Sequence, residues 1–167
     1  GRLVARAPSI ALAMAPLIAR HPWAFFREFW NAPPGVRERT SHALFASRAI
    51  EVAEAYEKTF SELARKYRVT LVAGSVVLPS AELNEAGHLT PGHGALYNTT
   101  AVFGSDGRII APLVKKQFQT LDELGFTACA RGSQPPLFDT AAGKLAVLIC
   151  ADSWFPSSYE SLAGVAR

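Results

Sequence analysis

Lys144-Leu-Ala-Val-Leu-Ile-Cys150-Ala-Asp152-Ser-Trp-Phe-Pro156 is the stretch on which the fold turns. Leu145 to Ile149 is an unbroken apolar run of strand length, the pattern of a strand covered on both faces. Periodicity alone also admits a helix. Gly143 just before the run, and the polar residues and Pro156 that soon stop it, decide for a strand. Cys150 then sits at the carboxyl end of a core strand, where open α/β sheets carry their binding and catalytic groups. A thiol there has two readings: a small buried hydrophobe, or a nucleophile on a strand-to-helix elbow that needs a base to become a thiolate. Asp152, Trp154 and Phe155 favour the second. A carboxylate and two large aromatics crowded after the cysteine suit the wall of a substrate-binding site.

Upstream, Val69 to Leu78 reads as a buried strand ended by Pro79, and Tyr97 to Gly104 as another. Asp106-Gly107 is a hairpin signal, and Arg108 to Val114 is the returning strand, which runs into Lys115-Lys116-Gln117. A short segment near Leu137-Phe138 meets the Ala142-Gly143 turn and leads to the cysteine strand. Phe45, Ala49, Val52, Ala53, Tyr56, Phe60, Leu63, Ala64 and Tyr67 follow helical spacing and predict one long amphipathic helix from near Thr40 to Tyr67. Its charged residues form a solvated side. Ser80 to Gly94 reads as a polar loop, and His88 and His93 in it as loop histidines, without the cysteine or carboxylate neighbours of a metal site. Pro156 to Arg167 reads as the start of a helix.

Asn31-Ala-Pro-Pro-Gly35 breaks the chain before that long helix. Ahead of the break, Pro22 opens a short helix whose Trp23, Phe26 and Trp30 share one face at spacings of three and four. Packing on the protein itself or on a partner subunit is the first reading of that stripe. A lid, or a helix lying on a membrane surface through residues 20–30, is the second, since Arg20, Arg27, Arg37 and Arg39 flank the aromatics. The apolar segment from Leu3 to Ala19 is cut by Arg6, Pro8 and Pro16, short of the roughly 20 uninterrupted apolar residues of a membrane span.

With 167 residues, 49% of them hydrophobic and 19% charged, the chain suits one globular domain. A net charge of +3 without a basic stripe excludes nucleic acid as an expected partner. Two cysteines do not make a disulfide framework, so a reducing, cytoplasmic setting is expected, with a membrane-peripheral one as the alternative.

Leu148-Ile-Cys150-Ala-Asp152-Ser-Trp-Phe155-Pro156 resembles the cysteine motif of the nitrilase superfamily, the carbon-nitrogen hydrolases. Ser157 stands where a glutamate is frequent in that family. Val72-Ala-Gly74-Ser75 is similar to the family strand ending in Gly-Ser, and Tyr97-Asn98-Thr99 with Asp106-Gly107 to its Tyr-Asn-Thr and Asp-Gly hairpin. The resemblance covers roughly residues 60 to 167. It implies an α/β fold, a sandwich of two β-sheets with outer helices (α-β-β-α), incomplete in this chain. Residues 1–37 would be a helical, aromatic insertion or lid, and residues 38–167 the core.

The resemblance further implies a Glu-Lys-Cys triad in which Cys150 is the nucleophile. It puts the catalytic lysine on Lys115, in a Lys-x-His run that here reads Lys115-Lys116-Gln117, and a second acid on Glu123. Strand residues alternate between faces, so only one of the two lysines can turn to the site. The family's base is a glutamate in a Pro-Glu motif upstream of the long helix; no Pro-Glu dipeptide occurs here, so it is expected ahead of Gly1, with residues 1–167 inactive alone. The implied activity is hydrolysis of a non-peptide carbon-nitrogen bond, amide or nitrile, through an acyl-enzyme, without cofactor or metal, in a homo-oligomer. The alternatives are an N-acyltransferase at a membrane surface and a catalytically silent binding or scaffold module.

Overall fold

The computed structural model describes residues 10–160 and 162–163. The apolar segment from Leu3 and the helix expected from Pro156 to Arg167 fall partly outside that range. Strands are numbered β1 (Leu71–Val72), β2 (Val76–Pro79), β3 (Glu82–Leu83), β4 (Leu89–Thr90), β5 (Leu96–Phe103), β6 (Ile109–Lys115), β7 (Thr127–Ala128), β8 (Leu137–Thr140) and β9 (Gly143–Ala146). Helices are α1 (Ile10–Arg20), α2 (Pro22–Trp30), α3 (Arg39–Ala46), α4 (Ala49–Tyr67) and α5 (Pro156–Glu160).

The main sheet is built around β5. On one edge it pairs antiparallel with β1 and β2, and on the other antiparallel with β6 and parallel with β7. Its alternating side chains part into two cores. Ala101 and Phe103 pack with Ala49, Ala53, Tyr56 and Ala64 of α4, while Val102 packs with Val114, Phe138, Val147 and Ile149. Helix, sheet and a second β layer, the β8–β9 hairpin, therefore stack in that order, the nitrilase-like sandwich arrangement that the resemblance implies. The Asp106-Gly107 turn joins β5 to β6 as expected; Gly107 has a φ of +81° and sits against the backbone of Ser61 on α4, where a Cβ would collide at 2.7 Å.

Several elements differ from the expected ones for local reasons. The strand expected over Val69 to Leu78 divides at Ala73-Gly74-Ser75, yet Ala73 stays tied to β5, its N–H donating to the Ala101 carbonyl and its own carbonyl accepting from the Thr100 hydroxyl. The single long helix is two, because Ser47 closes α3 with its N–H on the Ala43 carbonyl and its hydroxyl on the Leu44 carbonyl. The polar loop holds the small β3–β4 hairpin, which is fastened to α4 where Glu57 accepts the Leu89 N–H.

The cysteine strand is shorter than expected and is not covered on both faces. Among the described residues β9 pairs with β8 alone, from Thr140↔Gly143 to Leu137↔Ala146. The next position opposite Val147 is Pro136, which has no N–H to donate, so the ladder ends there. Val147 and Ile149 nevertheless remain buried as the chain runs on to Cys150.

Pro22 does open α2, but the stripe does not pack within this chain. Trp23 is 87% exposed, Trp30 72% and Phe26 52%, whereas Phe25, on the neighbouring face, is buried and stacks on Phe29. The spacing finds a face without telling which of two adjacent aromatic faces turns inward. No described helix is long and apolar enough to cross a membrane.

Candidate active site

Lys116 is the first residue past β6, and its N–H still donates to the Asn98 carbonyl, prolonging the pairing with β5. The strand alternation continues with it, so the two lysines diverge. The ammonium of Lys115 lies 5.0 Å from the centroid of the Tyr97 ring, a cation–π contact. Lys116 is only 3% exposed, and its Nζ is 2.6 Å from Oε2 of Glu123. Lys116, and not the expected Lys115, is thus the lysine that the fold brings to Glu123.

Glu123 closes a 3-10 turn, Leu121–Glu123, in the loop that leaves the sheet after β6 and returns as β7. Oε2 also accepts the Thr120 N–H at 2.8 Å and hydroxyl at 2.9 Å, and Oε1 accepts the Asn98 amide at 2.9 Å. Burial by itself would raise the carboxyl pKa. The hydrogen bonds from Lys116, Thr120 and Asn98 together outweigh it and lower the value from 4.5 to about 2. A charged pair so well hydrogen-bonded tolerates burial and holds the ammonium in one place.

Cys150 begins a second 3-10 turn, Cys150–Trp154, and is an exposed residue. Its φ of +50° lies in the left-handed region, a conformation that costs a non-glycine residue about 1–3 kcal/mol and that clusters at functional sites. The turn is fixed by its neighbours. Asp152 is 2% exposed, and its N–H donates to the Ile149 carbonyl while its Oδ2 accepts the Ile149 N–H at 3.2 Å. Its Oδ1 accepts the N–H groups of Gln117 at 3.0 Å and Phe118 at 2.9 Å. Phe118 in turn stacks on Phe155, centroids 3.9 Å apart. Two ties, a carboxylate and a ring pair, therefore hold the cysteine turn against the segment that follows Lys116.

Of the expected substrate-binding residues, Trp154 is exposed, Phe155 is partly exposed over Phe118, and Asp152 turns its oxygens to backbone. Asn98 and Thr120 belong to the site beyond the residues expected there, although Thr120 stands three residues before Glu123, the spacing of a capping box. Cys129 and Cys150 are both free thiols. Among the described residues no group of three or more His, Cys, Asp or Glu could hold a metal ion. A cavity of about 470 Å³ opens between Pro33–Arg37, Gln119 and Leu124–Ala128, and neither Cys150 nor Lys116 lines it.

Residues 24–164 match the family model described as carbon-nitrogen hydrolase. The chain is 32% identical over 142 residues to "Probable hydrolase YhcX" of Bacillus subtilis, covering 83% of this chain and 24% of that protein. It is 26% identical over 136 residues to the chloroplastic omega-amidase of Arabidopsis thaliana, covering 77% of this chain and 33% of that one. The chain thus spans about a quarter to a third of the length of these relatives. Among solved structures, a mutant of the amidase from Nesterenkonia sp. AN1, with acrylamide added to its active-site cysteine, superposes with a TM-score of 0.55 at 19% identity, over 71% of this chain and 42% of that one. A carbon-nitrogen hydrolase from Helicobacter pylori G27 gives 0.53 at 20% identity, over 95% and 49%. At these identities the likeness is one of fold.

Proposed function

Since the chain belongs to the carbon-nitrogen hydrolase family, we propose that the protein of which it forms part hydrolyses a non-peptide amide through a thioester on Cys150. The observation that carries this is the tethering of an exposed cysteine, in a left-handed elbow, to a segment that starts at a buried Lys–Glu pair. The thiolate attacks the amide carbon. Lys116 supplies the positive donor for the charge that develops on oxygen, and Glu123 holds that ammonium in place. The thiol proton passes to a carboxylate base and then to the departing amine or ammonia; the base is the Pro-Glu glutamate that the resemblance puts upstream. Water then attacks the thioester and releases the acid.

An amide is favoured over a nitrile because two of the similar proteins are named an omega-amidase and an amidase. Ammonia release from simple amides by the full-length protein tests the reading. Cys150→Ala is expected to lower kcat by about 10³-fold or more, as loss of a nucleophile does. Undiminished turnover in that variant ends the proposal.

A further inference from the structure

We propose that Asp152 is a positioning residue for this chemistry: its one buried carboxylate sets the placement of the Cys150 thiol relative to the Lys116 ammonium, and it does not bind substrate. The inference rests on the hydrolase reading for its consequence in turnover, and on geometry for the rest. Asp152 reaches both halves of the site at their roots. Oδ2 holds the N–H of Ile149, the residue before the nucleophile, and Oδ1 holds the N–H groups of Gln117 and Phe118, the two residues after the lysine. The two segments are more than thirty residues apart in sequence, and three backbone donors converge on two oxygens of a side chain that is 2% exposed. Its oxygens are occupied by the protein's own backbone, which leaves substrate little to bind.

The chemistry of a carboxylate explains why an acid stands here. Both oxygens accept, so both segments are served at once, and charge-assisted bonds to N–H groups are shorter and stronger than neutral ones. An amide has one accepting oxygen. In Asp152→Asn, an NH2 group must face either the Ile149 N–H or those of Gln117 and Phe118, and one tie is lost. The elbow then loses part of what holds Cys150 at positive φ, or the segment that follows Lys116 loses its carboxylate tie to the cysteine turn. A misplacement on the order of 1 Å costs turnover about 10²-fold.

The test uses the full-length protein, with modification of Cys150 read on its own peptide by mass spectrometry. For Asp152→Asn, kcat for amide hydrolysis is expected to fall by about 10²-fold with KM within about twofold, the split that marks a lost transition-state placement. A raised KM at unchanged kcat would instead make Asp152 a substrate ligand and overturn the proposal. Independently of turnover, the rate of iodoacetamide alkylation of Cys150 is followed at one pH. It is expected to fall in Asp152→Asn, to fall in Lys116→Met, and to fall no further in the double variant. Rate changes that add would mean that Asp152 does not act through Lys116, and would sink the idea. If wild type releases no ammonia, the hydrolase reading fails while the alkylation arm still decides the positioning role. Should Asp152→Asn not fold, the wild-type amide protons of Gln117, Phe118 and Ile149 remain a test. Slow exchange and downfield shifts are expected for all three, and fast exchange at Gln117 and Phe118 would refute the bridge.

Discussion

Lys115 and Lys116 are chemically identical neighbours with opposite fates. One caps an aromatic ring at the surface of the sheet and the other is buried against Glu123. Alternation made it plain in the sequence that only one could face the site, but not which, because the choice depends on where Glu123 lands after its loop. Asp152 was legible as part of a site and not as its brace, since the N–H groups it accepts belong partly to a segment 34 and 35 residues away. The buried pair has a consequence in acid. Glu123 titrates below its ordinary 4.5, at about 2, so its contribution to stability is complete above about pH 4.5 and is lost as pH falls toward 2. In Lys116→Met the carboxyl loses the strongest hydrogen bond that lowers its pKa, and that acid-sensitive part shrinks. Urea unfolding at pH 6, 4.5 and 3 is expected to show the gap between wild type and Lys116→Met narrowing as pH falls, whatever constant offset the methionine adds. Lys115→Met, whose ammonium does not touch Glu123, should run parallel to wild type. A parallel profile for Lys116→Met would mean the pair does not form.

At the level of elements, hydrophobic spacing located strands, hairpin and helices, while their interruptions were set by single polar groups. Pro136 opposite Val147, the Ser47 hydroxyl and the tether at Ala73 each act through a backbone bond that periodicity does not register. The β5–β6 pairing carries another such break, a register shift between Thr100 and Val102. Ala101 lies in it, and its N–H, outside the ladder, donates to the hydroxyl of Tyr56 on α4 at 3.1 Å. A helix side chain thereby satisfies a bulge in the central strand and locks helix to sheet. Burial raises the Tyr56 pKa above 10 even though its bonds to Thr100 and Ala101 pull it down, so the ring stays a neutral phenol. Tyr56→Phe keeps the ring against Phe60 and Phe103 but leaves the Ala101 N–H buried and unpaired. A loss of about 1–3 kcal/mol follows from the desolvated donor, measurable as a lower urea midpoint at unchanged slope. Stability equal to wild type would show that the bulge has another partner.

Across the whole molecule, the layers differ in how firmly they are closed. β5 is bonded along both edges and packed on both faces, with Leu96 and Val102 fully buried. Among the described residues the β8–β9 hairpin is a two-stranded ribbon, with Gly143 and Lys144 in the open, that meets the sheet mainly through Phe138 and the Val147–Ile149 segment. A two-stranded ribbon is marginal by itself, and its opening exposes less apolar surface than opening the sheet does. Cys150 follows directly from that hairpin, while Lys116 follows from the sheet, so the two halves of the proposed chemistry stand on parts of unequal stability. Asp152 and the Phe118–Phe155 stack join those parts. Native-state hydrogen exchange should find the β5 amides opening only with global unfolding and the β8–β9 amides exchanging at least about 10²-fold faster, through a local opening. Asp152→Asn should widen that difference by speeding the hairpin and leaving β5 unchanged. Equal protection of β5 and the hairpin in wild type would show instead that the two layers open as one unit.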